Sequence, residues 1–224
     1  MSRILVITAV EAERDAVARA FEAEPPPVGP YESHVAAAPV GHVAVIAGGI
    51  GMAASAAATA TALTLGSYDT VISMGIGGGF DGRAGTGDVV VATDVLACQL
   101  GADSPDGFQT FGELGLVDTG IATGGAWDAI AARLGARTGR VLTVSTVTGT
   151  DARALELAAR WSPVAEAMEG WGVWSTAQAY PVVPYEIRTI SNRVGRRDRK
   201  SWDIAGALDA LSRAAKTLFE EPLP

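Results

Sequence analysis

Cysteine is nearly absent from these 224 residues: Cys98 stands alone, which excludes an internal disulfide and any cysteine-built metal site. Histidine is almost as scarce. His34 and His42 are too few for a histidine-rich metal centre. Basic residues are outnumbered, with 17 Lys and Arg against 25 Asp and Glu and a net charge of −8. Neutralising phosphates needs a basic face, so a nucleic-acid binder is not expected. The opening MSRILVITAVEAE lacks an extended apolar core with a small-residue cleavage site, so no signal peptide is expected either. One long uncharged run, Val43 to Tyr68, has the length of a membrane span. Gly48, Gly49 and Gly51 interrupt it, and Ala, Ser and Thr fill its second half; a buried strand followed by a buried helix accounts for it better. The expectation is a soluble, cytoplasmic protein that binds neither nucleic acid nor membrane and holds no metal.

What is present is an α/β composition, 48% hydrophobic and 19% charged, in a chain long enough for one full core. A single domain over residues 1–224 is expected. The apolar run Arg3–Ala9 reads as a strand covered on both faces, followed by a helix over Glu11–Glu24 that PPPVGP ends. Strands are expected at Tyr31–Ala37, His42–Ala47, Thr70–Gly75, Asp88–Ala97, Arg140–Val147, Ala165–Met168 and over VVPYEIRTI. Helices are expected at Met52–Leu65, Ala126–Leu134, Asp151–Trp161, Trp171–Ala179 and Trp202–Phe219. IGGGFDGRAGTGD carries enough glycine to read as loop, and residues 98–123 read as one long irregular segment. Alternation of the two element types predicts a central, mostly parallel, twisted mixed sheet covered by helices.

Ligands in such sheets gather at the carboxyl ends of the strands. Four of those ends carry something polar or flexible: Glu11 and Glu13, Gly48–Gly51, Met168-Glu169, and Ser191-Asn192. GGIG and GIGGG do not make the full G-x-G-x-x-G that opens a helix after the first strand, so no dinucleotide cofactor is called for. Their bland role is to let backbone turn tightly; their functional one is to bring backbone, here around Ile50, close to a ligand. Glu13 either supports a helix start or does chemistry, and Glu169, ahead of the apolar WGVW, needs a partner if it is buried. After Asn192 comes a basic run, Arg193, Arg196, Arg197, Arg199 and Lys200, which reads first as a solvated loop.

Laid in order, TAVEAE, GGIGMAAS, SMGIGGGF with GTGDVVVA, AEAMEG and RTISN resemble the purine nucleoside phosphorylase/nucleosidase superfamily across residues 8 to 192. Within it they are most similar to the hydrolytic branch, the methylthioadenosine/S-adenosylhomocysteine nucleosidases and the futalosine hydrolases of menaquinone biosynthesis. The resemblance implies a general base at Glu13, activating water, and a ribose-binding carboxylate at Glu169 after Met168. It also implies purine-facing backbone at about Gly149 and Thr150, and an aromatic packing residue at Trp202. A small-molecule nucleoside as substrate, no cofactor, and a homo-oligomer, dimeric or higher, complete what it implies. Trp171, Trp174 and the 52–65 helix either face another subunit or pack in the core.

Cleaving an N-glycosidic bond passes through an oxocarbenium-like sugar, water needs a proton acceptor, and the departing purine gains negative charge. Where the adenine-releasing branch has an aspartate after Ile-Ser, this chain has Asn192. A 6-oxopurine offers two acceptors on that edge, N7 and O6, and an amide can donate to them. Asn192 therefore points to hypoxanthine as leaving group, with solvent supplying the proton. A basic residue near 193–200 would suit the carboxylate-bearing 5′ arm of futalosine. Two alternatives stay open: an adenine-directed nucleosidase, and a phosphorolytic enzyme using Arg14 or Arg83 for phosphate.

Overall fold

The computed structural model describes residues 2–21, 30–31, 33–117 and 119–224. The chain opens with β1 (Ser2–Thr8) and α1 (Glu11–Ala18), then β2 (Ser33–Ala38), β3 (Gly41–Ala47), α2 (Met52–Leu65) and β4 (Thr70–Gly79). β5 (Val89–Ala97) precedes a hairpin of β6 (Gly101–Ser104) and β7 (Gly107–Thr110), and β8 (Gly120–Ala122) follows. Next come α3 (Trp127–Leu134), β9 (Arg137–Thr143), α4 (Asp151–Trp161), β10 (Ala165–Ala167) and α5 (Gly170–Ala177). β11 (Val183–Arg193), a single 3-10 turn (Arg199–Ser201) and α6 (Ile204–Phe219) complete it.

Apart from the β6–β7 hairpin, the strands form one mixed sheet in the order β10-β9-β5-β11-β4-β1-β3-β2, with β8 on β5. β4 is central, with β1 and β11 parallel on its two sides. β1 accompanies only Thr70–Ser73; further along the same edge β10 runs antiparallel to Gly78–Gly79. Since β10 also pairs with β9, the path β4, β11, β5, β9, β10 returns to β4 as a closed ring. Side chains alternate faces along each strand, so Ile4 and Val6 join Ile72, Ile187, Leu211 and Leu218 on one face. Leu5 and Ile7 join Ile46, Ala58, Ala62 and Val173 on the other. Coverage on both faces is why the strands read as continuous apolar runs.

Several boundaries differ from expectation. The first helix ends at Ala18, and residues 22–29, where its tail and most of PPPVGP were expected, lie outside the described residues. Ile76–Gly79, expected as loop, continue β4. A Cβ at Gly75 would press on the Glu13 carboxylate and Arg188, so the glycines here permit close approach within a regular strand. The segment 98–123, expected to be irregular, contains β6, β7 and β8. β9 starts three residues earlier than expected and stops at Thr143, and Trp202 precedes α6 instead of opening it. β11 does not stop at Ile190 but continues through a bulge to Arg193. The uncharged 43–68 run resolves into β3 and α2, and no helix of the described residues is long and apolar enough to cross a membrane. Trp174 is buried in the core with Val95, Val141 and Ile190, and Trp171 packs against the same cluster.

Candidate active site

The carboxyl ends of β1, β4 and β11 and the end of β10 meet on one side of the sheet. Glu13, in the first turn of α1, folds back under the end of β1. Its Oε2 accepts the backbone N–H groups of Ala9 (2.9 Å) and Val10 (3.3 Å), and its Oε1 accepts that of Ile76 on β4 (2.8 Å). It is 4% exposed. Burial raises its proton affinity above the ordinary value of 4.5; Arg188 and the Ile76 N–H oppose that shift, while nearby Glu169 adds to it.

Glu169 stands between β10 and α5. Its Oε1 accepts the N–H of Gly51 (3.0 Å), its Oε2 that of Met168 (3.3 Å), and Arg188 Nη1 lies 3.6 Å from Oε2. Gly51 has φ +91°, a left-handed backbone that aims its N–H at the carboxylate. Arg188 is fully buried between the carboxylates: Nε donates to Glu186 Oε1 (2.8 Å) and Nη2 to Ser73 Oγ (2.6 Å). Burial disfavours its charge, but Glu186, Glu169 and Glu13 outweigh burial and hold the proton more tightly than usual. Glu186 Oε2 finds no partner among the described residues, and burial pushes that carboxyl up despite Arg188. The arrangement is a buried cation holding carboxylates that would otherwise repel one another.

Beside this cluster opens a pocket of about 140 Å³. Ile76, Gly77 and Gly78 of β4 form one wall; Glu166 to Glu169 form another, with Val144 and Val147 next to them; Ser191, Asn192 and Trp202 close it. The bulge places Asn192 opposite Gly78 after Ile190 has paired with Gly77. The Ser191 hydroxyl donates to Asn192 Oδ1 (2.8 Å), and Nδ2 donates to the Arg193 carbonyl (3.0 Å). One amide proton is thereby left over for a ligand.

Of the residues singled out in the sequence, Met168, Glu169, Asn192 and Trp202 line this pocket together, and Glu13 sits directly behind its Ile76 wall. Gly149 and Thr150 do not line it. Because β9 ends at Thr143, the chain turns back early and offers Val144 and Val147 instead. Thr150 is occupied as the cap of α4, accepting from Arg153 N–H (3.2 Å), and the Gly149 carbonyl accepts from Arg197 N–H (3.1 Å). Ile50 is 62% exposed and also outside the lining, although its neighbour Gly51 holds Glu169.

Arg14, Arg83, Arg193 and Arg197 each have a partner. Arg14 pairs with Asp15 and Arg83 donates to the Ser162 carbonyl. Arg193 pairs with Asp151 (2.8 Å) and lies 3.7 Å from Asp81, while Arg197 lies over the Trp202 ring at 5.4 Å. A larger hollow of about 390 Å³, bounded by Asp81–Thr86, Asp88, Arg137 and Arg193, shares no lining residue with this pocket. Burial pushes the Cys98 thiol up to about 11, which leaves it unreactive. Sequence reasoning missed Arg188, Glu186 and Glu166. The available signal was a charged residue within an otherwise apolar strand.

A model of the phosphorylase superfamily matches residues 3–220. A futalosine hydrolase of Streptomyces coelicolor is 46% identical, over 96% of this chain and 94% of its own. One from Acidothermus cellulolyticus is also 46% identical, over 96% and 89%. Among solved structures, a Helicobacter pylori methylthioadenosine/S-adenosylhomocysteine nucleosidase mutant with 5′-methylthioadenosine in its active site superposes with a TM-score of 0.85. That match has 20% identity and covers 97% of this chain and 98% of the other. A futalosine hydrolase of H. pylori gives a TM-score of 0.84 at 19% identity, over 97% of each chain.

Proposed function

The chain belongs to the phosphorylase superfamily and, within it, to the futalosine hydrolases, and on that footing we propose that it cleaves the N-glycosidic bond of futalosine with water, releasing hypoxanthine. Glu13 takes a proton from the attacking water as the new C–O bond forms at the anomeric carbon. The glycosidic pair of electrons leaves with the base, which regains a proton from solvent. Glu169, held by Gly51 and Met168, accepts from the sugar hydroxyls, and Asn192 donates to the N7/O6 edge of the departing purine. The protein acts as a homo-oligomer in the cytoplasm.

One observation carries this reading: a buried proton acceptor, Glu13, stands behind the wall of a pocket whose far end presents an amide donor, Asn192. Phosphorolysis is disfavoured because Arg14 and Arg83 are engaged away from the pocket. The test is to incubate the protein with futalosine, inosine and methylthioadenosine, each with and without phosphate, and to quantify free base. Phosphate-independent hypoxanthine from futalosine is expected, with Asn192→Asp moving preference toward adenine nucleosides. Adenine released faster from methylthioadenosine by the unaltered protein would sink the role given to Asn192, and strict phosphate dependence would sink hydrolysis.

A further inference from the structure

Past the end of β9 the chain has no regular structure, yet it supplies two residues of the pocket wall, Val144 and Val147. This segment is pinned at both ends. The Val144 N–H donates to the Ala167 carbonyl (2.8 Å), and Thr148 donates to Glu166 through its N–H (2.9 Å) and its hydroxyl (2.6 Å). Between these anchors Ser145 and Thr146 are exposed, and among the described residues their one hydrogen-bonding partner is the side chain of Gln99.

Gln99 Oε1 accepts the backbone N–H groups of Ser145 (2.7 Å) and Thr146 (3.1 Å), and Nε2 donates to the Thr146 carbonyl (3.3 Å). Two N–H donors on one side and a carbonyl on the other match a carboxamide and fix which end of it carries the oxygen. Register explains why a side chain does this. β5 and β9 run parallel, and their last pair is Ala97 with Thr143. Continued by two residues, that ladder would join Gln99 to Ser145. Instead the backbone turns away, with the Leu100 N–H donating to the Ala97 carbonyl (3.1 Å), and the Gln99 amide takes over the bonds the ladder has dropped. Gln99 itself does not line the pocket.

Resting on the proposed reaction, we propose that Gln99 is a positioning residue: it splints the 144–148 segment from outside, so that Val144 and Val147 stand as a fixed apolar wall for the purine. Without it, three backbone groups turn to water and the segment samples many arrangements, which binding must then restrict at a loss of affinity. The wall meets the bound nucleoside and its transition state alike. Its loss is therefore uniform, raising KM and leaving kcat nearly as it was. A folding defect alone does the opposite, lowering the amount of active protein at unchanged KM.

The experiment compares the unaltered protein with Gln99→Met, which keeps the length and removes all three hydrogen bonds, and with Gln99→Glu, which keeps the two accepted ones. The readouts are steady-state kinetics on futalosine, titration with hypoxanthine, and amide hydrogen exchange at Ser145 and Thr146. Gln99→Met should raise KM and the hypoxanthine dissociation constant about tenfold, with kcat within about threefold, and should speed exchange at both amides about tenfold or more. Gln99→Glu should return KM and exchange to within about threefold of the unaltered protein. Unchanged KM and affinity in Gln99→Met would overturn the assignment, as would a Gln99→Glu variant as impaired as Gln99→Met. If Gln99→Met does not fold, the unaltered protein decides: exchange at Ser145 and Thr146 as fast as in an open chain would overturn the splint. If the unaltered protein releases no hypoxanthine from futalosine, the reaction itself is misread, while the exchange rates still report on Gln99.

Discussion

Burial takes water away from the Glu13 carboxylate, and three backbone N–H groups and the nearby Arg188 replace it only in part. The net effect is a carboxylate more basic than its ordinary 4.5, suited to take a proton from water near neutral pH. In the proposed reaction the ionised form is the active one, so the sign is fixed: kcat/KM should fall on acidification with a midpoint above 4.5, and a midpoint at or below that value would contradict the burial argument. Glu13→Gln removes the acceptor and should reduce turnover by about 10²–10⁴-fold while hypoxanthine affinity stays close to that of the unaltered protein. Single-turnover rates and calorimetric titration with the free base separate the two quantities. Normal turnover in the variant would end the base assignment.

At the scale of elements, the start of α5 shows tertiary contact overruling helix propensity. Gly170 is the first residue of that helix, where alanine would ordinarily be better by up to about 1 kcal/mol. A Cβ there would collide with the Glu186 carboxylate, which is fully buried and fixed to Arg188. Overpacking costs about 1–3 kcal/mol, so the collision wins and Gly170→Ala should destabilise by roughly that amount. Urea unfolding measures it; a variant as stable as the parent would mean Glu186 can move aside. Elements themselves were legible where one local signal dominated. Met52–Leu65 and Asp151–Trp161 are as expected, because small-residue or amphipathic helices bounded by Gly51 and by the Thr150 cap state their own limits. Ile76–Gly79 misled because local composition says loop, while the reason for glycine is the crowd of Glu166, Val194, Asn192 and Ala84 around the strand. The site was legible to the same degree. Glu13, Met168, Glu169 and Asn192 stand out at strand ends, whereas Glu166 and Arg188 acquire meaning only through register with β4.

For the molecule as a whole, apolar side chains left in solvent bear on the proposed self-association. Ile50 is 62% exposed and Leu116 71%, with Leu114 and Val117 exposed close to Leu116. Sedimentation at micromolar concentration should give an oligomer, and Leu116→Asp should weaken it; a monomer for the unaltered protein would contradict the proposal. The pairing of β4 with β11 has a bearing of another kind, on the order in which the chain is made. β4 ends at Gly79, and β11, its neighbour along its full length, begins only at Val183. At translation rates of about 5–20 residues per second, β4 waits on the order of ten seconds for its partner. Until then its apolar edge stands open on the ribosome, a surface for chaperones to shield. Arg188 and Asn192 arrive on that last strand, so a nascent chain cut short before it carries Glu13 and Glu169 and still lacks the other half of the candidate site.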